Sequence, residues 1–332
     1  RAFGAMGVLD RLAGDRLYGK LVTTALARRL RHSPMWQVQL PESAPSVLPR
    51  RMPYDVRGSY KLTDEGVVLD VALIAPEGGR RIWGRRFTAP VADVIGDRAM
   101  LIDGMAVGIG NAITAHELAR LRAGTVPTRD NKTLLTAAIG LMHRLTFSDF
   151  IEAAALLAEL KSRASRQSLV NAVVANWHLM RILQGWSSDP AVDGAQAVQL
   201  SREALDAEPD CTFALAMDGF IQTHLTQRFD LAEARYTEAI RLDPANPTAL
   251  LLSGTLRAFM DDGEGAVDHA SRALVLAPPD TTRYFYDSLA ASAFLTARDD
   301  EQALLLACRS LRANPAHTSS LRVKTVAQWR LG

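Results

Sequence analysis

Prolines close four helix-like segments at nearly even intervals, and this period constrains the fold more than any other feature of the chain. The segments "SREALDAEPD", "YTEAIRLDPAN", "ASRALVLAPPD" and "ACRSLRANPAH" carry Pro209, Pro244, Pro278 and Pro315, spaced 35, 34 and 37 residues apart. Self-similarity at such a period marks a stack of supersecondary units, each the length of a helix-turn-helix. In the cleanest copy, residues 247–280, Gly254 is followed twelve positions later by Ala266, then by Ala270 and Ala273. Small side chains there let two helices approach closely. The proline has no N–H and clashes with the preceding turn, so it stops the second helix and frees the chain to enter the next unit.

Matching sets are Gly219, Ala232, Tyr236, Ala239, Pro244 and Ala291, Ala303, Pro315. The copy at Gly219 holds one extra residue before Ala232, expected in its turn. This pattern resembles the tetratricopeptide repeat, with Gly254, Ala266 and Ala273 at its small-residue positions and Pro278 at its terminating one. Two degenerate copies precede it. "LVNAVVANWHLMRILQGW" and "GAQAVQLSREALDA" read as one pair with a long "SSDPAVD" between them, and residues 134–164 as another without its proline. About five repeats and an unpaired last helix, "SSLRVKTVAQWRLG", are expected, each repeat burying its apolar face on its neighbours. The unpaired end with Trp329 is expected to continue in a longer chain or to dock.

The first part of the chain changes period. Residues 15–31 place Leu17, Leu21, Ala25 and Leu26 on one helical face and basic groups on the other. "MWQVQL" (35–40), "DVRGSYKL", "GVVLDVALIA" and "RRIWGRRF" read as strands, the last three joined by the hairpin turns "TDEG" and "PEGG". From Pro90 to about Leu121 the pattern is helical again. The expected fold is an α+β N-terminal domain (1–122), a linker (123–130) and an all-α tetratricopeptide-repeat solenoid (131–332).

In "GGRRIWGRRF", strict alternation puts Arg81, Trp83, Arg85 and Phe87 on one face, and Ile82, Gly84 and Arg86 on the other. Asp70 and Glu77 are candidate ion partners for these arginines. The stretch reads as a solvated sheet surface anchored by Trp83 instead of a nucleic-acid clamp, which would need several aromatics along a basic groove. Charge agrees. Residues 1–130 hold 19 Lys+Arg against 13 Asp+Glu, and residues 131–332 hold 19 against 23, an asymmetry too mild to demand a polyanionic partner.

No membrane span is expected, because the longest apolar run (99–115) contains Asp103 and Asn111. Cys211 and Cys308 read as small buried thiols in a reducing, cytoplasmic setting. The chain opens on Arg1 and not Met, so it is expected to be a piece of a longer polypeptide.

Gly14-Asp15, Tyr18, Gly58-Ser59, Gly79 and Ile82-Trp83, in the order of elements above, resemble the TolB-like amino-terminal domain that precedes tetratricopeptide repeats in bacterial regulators. The family's first strand is missing or partial around "RAFGAMG", and the linker "PESAPSVLPRRMP" is shorter and richer in proline than the family's helix. The resemblance implies the carboxy-terminal region of a winged-helix transcription activator of the CadC/HilA type. The alternative it implies is the regulatory region of a class III adenylate cyclase. In both, the output domain lies upstream.

No catalytic residue is assigned, since phosphate-loop, dinucleotide and nucleophile-elbow patterns do not occur. His116 and Glu117 in "AHELAR" lack a second histidine at zinc-protease spacing. "MDDGEG" (260–265) lacks calcium-loop spacing and reads as a turn. Neither metal nor cofactor is expected, and an independent enzyme is the weakest reading.

What remains is a surface for a protein or peptide, another part of the same polypeptide or a second copy included. First helices line the concave side of such repeats. Alignment on Gly219, Gly254 and Ala291 points there with Phe213, Phe220, Thr223, Thr248, Thr255, Phe285, Ser288 and Ser292, and with Asn176 from the degenerate copy. These types suit an apolar or helical ligand, whereas repeats that hold a terminal carboxylate present Lys, Arg and Asn. The alternative, that several of the aromatics pack between repeats, stands beside it.

Overall fold

A computed structural model of the chain describes residues 2–3, 16–30, 37–38, 54–63, 66–90, 100–123, 131–164 and 167–332. They divide into two compact units, Arg1–Pro127 with Pro278–Thr281, and Thr128–Ala277 with Thr282–Gly332. The chain is mostly helical with a small three-stranded antiparallel sheet. Residues 124–130, most of the expected linker, and the proline-rich 41–53 lie outside the described residues.

In the first unit β1 (Ala2–Phe3) pairs in parallel with β2 (Gln37–Val38), so "RAFGAMG" does supply a short strand and the expected strand at 35–40 is described as two residues. The meander is β3 (Asp55–Thr63), β4 (Gly66–Ile74) and β5 (Arg81–Ala89), with Thr63 opposite Gly66. The turn from β4 to β5 passes Gly78 and Gly79 at φ of 68° and 62°, a left-handed pair that glycine adopts without a Cβ penalty. Alternation in β4 buries Val67, Leu69, Val71 and Leu73. They share one core with Val22, Leu26 and Leu30 of α1 (Arg16–Leu30) and Met105, Ile109 and Ile113 of α2 (Met100–Arg122).

Two corrections follow from this packing. The buried stripe of α1 runs through Val22, Leu26 and Leu30, leaving Leu21 exposed, and it includes Arg29, expected on the basic face. Arg29 is buried because it pairs with Asp103 of α2, the charge that interrupts the apolar run. No helix among the described residues is long and apolar enough to cross a membrane. In β5 a bulge opposite Leu73 and Ile74 sets Ile74 against Arg81 but Leu73 against Trp83. The extra residue shifts Arg81 off the Trp83 face, since a one-residue slip changes the side to which every following side chain points. Trp83 faces the core, where a Cβ on Gly108 would lie 2.6 Å from its ring. Arg85 lies over Phe87 at 5.3 Å and Arg86 pairs with Asp70 at 2.9 Å, whereas Glu77 pairs with Arg120 of α2.

The second unit consists of helix pairs. They are α3 (Asn131–Met142) with α4 (Phe147–Arg163), α5 (Ser168–Leu183) with α6 (Pro190–Ala207), and α7 (Thr212–Ile221) with α8 (Phe229–Leu242). After them come α9 (Pro247–Phe259) with α10 (Gly263–Leu276), α11 (Arg283–Thr296) with α12 (Asp300–Ala313), and α13 (Thr318–Leu331). Helices α6, α8, α10 and α12 each end two residues before Pro209, Pro244, Pro278 and Pro315, because the residue preceding proline is pushed out of the helical region. Their capping residues Glu208, Asp243 and Asn314 have φ near −140° and ψ near 90°.

The turn inside each pair contains one left-handed residue: Leu145, Gly185, Gln227, Asp261 and Arg298, at φ of 53° to 71°. Asp261 and Arg298 stand seven residues past Gly254 and Ala291, but Gln227 stands eight past Gly219. The extra residue of that copy is therefore not in the turn. It widens the end of α7 into a π-helical turn, Gln222–Thr226, the usual way a helix absorbs an insertion. A second correction concerns "SSDPAVD": α6 starts inside it at Pro190, capped by Asp189, whose carboxylate accepts from the amides of Ala191 and Val192.

Candidate partner-binding surface

The first helices of the pairs carry the expected surface, and side-chain geometry decides how much of it is open. Phe220, Thr223, Thr255 and Ser288 are buried, while Asn176, Phe213, Thr248, Phe285 and Ser292 are half-buried. Three hydroxyls serve their own helix. Thr223 donates to the Gly219 carbonyl at 2.8 Å, Thr255 to Leu251 at 3.0 Å and Ser292 to Ser288 at 3.3 Å, the ordinary back-bond of a helical Ser or Thr. Thr248 bonds the Tyr286 hydroxyl at 2.8 Å, and the Asn176 amide points to the Met180 sulfur. Each of these polar side chains thus already has a hydrogen-bond partner within the array.

The aromatic members are different, because they connect. The ring of Phe285 is 6.2 Å from Phe220, Phe220 is 4.4 Å from His224, and His224 is 5.6 Å from Phe259, all edge to face. Such contacts favour the aromatic quadrupole and hold the row at fixed spacing. At one end Phe259 and Met260 are 56% and 52% exposed, so the row opens to solvent there. At the other end His143 stands 6.0 Å from Phe285. Phe213 joins the same core cluster from its rim.

Sequence alignment overlooked His224 and Phe259. Each lies five residues beyond the small residue of its helix, Gly219 or Gly254, so the signal was present in the frame. Burial pushes the His224 imidazole below its ordinary value, with a hydrogen bond to the Phe220 carbonyl opposing. His143 had no comparable signal, because its pair lacks the proline and the small-residue frame.

Elsewhere, a shallow groove of about 800 Å³ runs along α6 over Ala191, Gly194, Ala195 and Val198, edged by Arg202 and by Leu225 of the π turn. Buried carboxylates recur in the array with partners already in place. Asp218 accepts from Ser201, Gln222 and Arg235, Asp193 from Ser187, His178 and Arg181, and Asp287 from Arg283 and Arg309. In the first unit the Tyr54 hydroxyl donates to Glu117 at 2.6 Å and meets His116 Nδ1 at 2.7 Å, while Arg120 clamps Glu117. Among the described residues no group of three or more His, Cys, Asp or Glu is placed to hold a metal ion. Cys211 and Cys308 are free thiols, half-buried instead of fully buried.

No protein-family model and no curated protein sequence matches the chain. Among solved structures it is similar to a tetratricopeptide-repeat protein of Thermus thermophilus, at 14% identity and a TM-score of 0.47, over 60% of this chain and 100% of that one. It is also similar to YrrB, a tetratricopeptide-repeat protein described as having an unusual peptide-binding site, at 16% identity and 0.33 over 62% and 98%. A third is PilF of Pseudomonas aeruginosa, at 16% identity and 0.38 over 60% and 85%. At these scores the likenesses are descriptive. The period, the small-residue spacing and the packed helix pairs are properties of this chain.

Proposed function

We propose that the array is a protein-interaction module that receives an apolar, amphipathic helix of a partner along its row of rings. Together with the TolB-like first domain it forms a non-catalytic regulatory part of a bacterial transcription regulator and biases an upstream DNA-binding domain in the cytoplasm. The observation that carries this is the row Phe285, Phe220, His224 and Phe259, continuous and open at Phe259 and Met260. Phe259 and Met260 offer the open contact area, the buried Phe220 holds the row in place behind them, and a helix presents matching anchors at i, i+3 or i+4, and i+7. The ion pair of Arg86 with Asp70 supports reading the basic strand as a solvated sheet face and not as a nucleic-acid contact. Attachment to a class III adenylate cyclase is the alternative, and the domain encoded upstream separates the two.

The test uses the full-length polypeptide with the photo-cross-linker p-benzoylphenylalanine at position 259. Capture of a partner segment with an amphipathic helical pattern, lost on Met260→Asp, is the expected result. The same adducts from a cross-linker at Val275, which is 71% exposed on α10, would refute the reading.

A further inference from the structure

In this array pairs meet beyond their neighbours in sequence: Phe220 of the third pair reaches Phe285 of the fifth, and the turn of the first pair reaches the fifth as well. His143, between α3 and α4, places Nδ1 3.0 Å from the Tyr284 hydroxyl of α11. Its ring stands edge-on to Tyr284 and Phe285 at 5.8 and 6.0 Å. Its carbonyl accepts from Asn314 Nδ2 at 3.1 Å, across 171 positions of sequence.

Behind this contact lies a run of hydrogen bonds. The Tyr284 carbonyl accepts from Ser310, Ser310 accepts from Ser320, and Ser320 meets His317 Nδ1, each at 2.8 Å. The latch therefore occupies the helix that supplies Phe285, the covered end of the ring row.

The hairpin has two kinds of attachment. Through α4 it packs as any repeat would, with Phe150 stacked on Trp177 of α5 at 5.1 Å and Trp177 donating to the Phe150 carbonyl. Through its turn it makes the polar latch to Tyr284 and Asn314. Leu145 gives the turn its direction with φ of 55°, a left-handed conformation unfavourable for leucine that must be maintained by its surroundings. In α3 itself Leu134, Leu135, Ala137, Ala138, Leu141 and Met142 are all buried on one contiguous face.

We propose that residues 131–146 are a displaceable plug, an autoinhibitory contact that holds the Phe285 end of the ring row until a partner helix takes their place. The proposal rests on the recognition reading above and adds its regulation. Release breaks the latch to Tyr284 and Asn314 and lifts α3 from α4, while the α4–α5 packing persists. The array then opens at one end without unfolding.

Native-state hydrogen exchange on the full chain tests this. In wild type, peptides covering 131–146 and 283–292 are expected to open together, more readily than α8 and α10. In Tyr284→Phe and Asn314→Ala they are expected to exchange about tenfold faster, with α8 and α10 at wild-type rates. The fluorescence of anilinonaphthalene sulfonate should rise in parallel. Unchanged rates, or rates that rise alike across the array, would overturn the plug and make the hairpin an inseparable part of one cooperative stack. The wild-type measurement decides the matter even if a variant folds poorly. Selective exchange without partner capture at position 259 would overturn only the recognition reading, and capture without selective exchange only the plug.

Discussion

Acidification should loosen the array at the latch, by an amount that follows from two imidazoles, His317 buried and His143 half-buried. Burial pushes the His143 imidazole down to about 4, with repulsion from His317 adding to it, and burial alone pushes His317 to about 4. Both sit near 6.5 when the chain is unfolded. A histidine with a depressed folded value binds its proton more readily in the unfolded state, so stability is complete above about pH 6.5 and is lost as pH falls toward 4. Each unit is worth about 1.4 kcal/mol, so each histidine contributes about 3 kcal/mol across that window, and the pair on the order of 6. That is comparable to the total stability of many domains. The charged groups on the facing helices, Arg283 and Asp287 of α11 and Arg309 of α12, are paired with one another.

The assay is urea unfolding of wild type and a His143→Gln, His317→Gln variant from about pH 7 to about pH 4.5. Over this range wild type should lose about 5 kcal/mol more than the variant, from two histidines and about two units each. Parallel curves would refute the reasoning. So would a proton resonance of His143 that titrates at the ordinary histidine value.

Gly219→Ala should destabilise by about 1–3 kcal/mol in thermal or urea melts, because the new Cβ would stand 2.5 Å from the Tyr236 ring, inside a fully packed pair. Gly104→Ala in α2 should instead stabilise by about 0.5–1 kcal/mol, as its Cβ meets nothing closer than Phe87 at 3.9 Å and alanine favours the helix. Asp287→Ala should cost about 3–5 kcal/mol in the same assay, because it removes the buried carboxylate that Arg283 and Arg309 share. A loss below about 1 kcal/mol would refute this, showing that the two arginines find other acceptors or water once the carboxylate is gone.

The site was legible only in part. Phe220 and Phe285 stood out by their frame, and the same frame contained His224 and Phe259 without a reason to choose them. The sequence places Thr223, Thr255 and Ser292 on the first helices, but it does not show that each hydroxyl bonds its own backbone. Arg81 was placed beside Trp83 because alternation is blind to a bulge.

The repeats were determined by sequence alone, since prolines, small residues and their intervals act within a few turns of the residues that carry them. Hairpin glycines and the alternation of β4 are local in the same sense. The tertiary structure decided the rest. Whether an inserted residue widens a helix or lengthens a turn depends on the helices packed around it. Whether the turn at His143 reaches Tyr284 and Asn314 depends on how small rotations between successive pairs accumulate, and no single stretch of the chain encodes that sum.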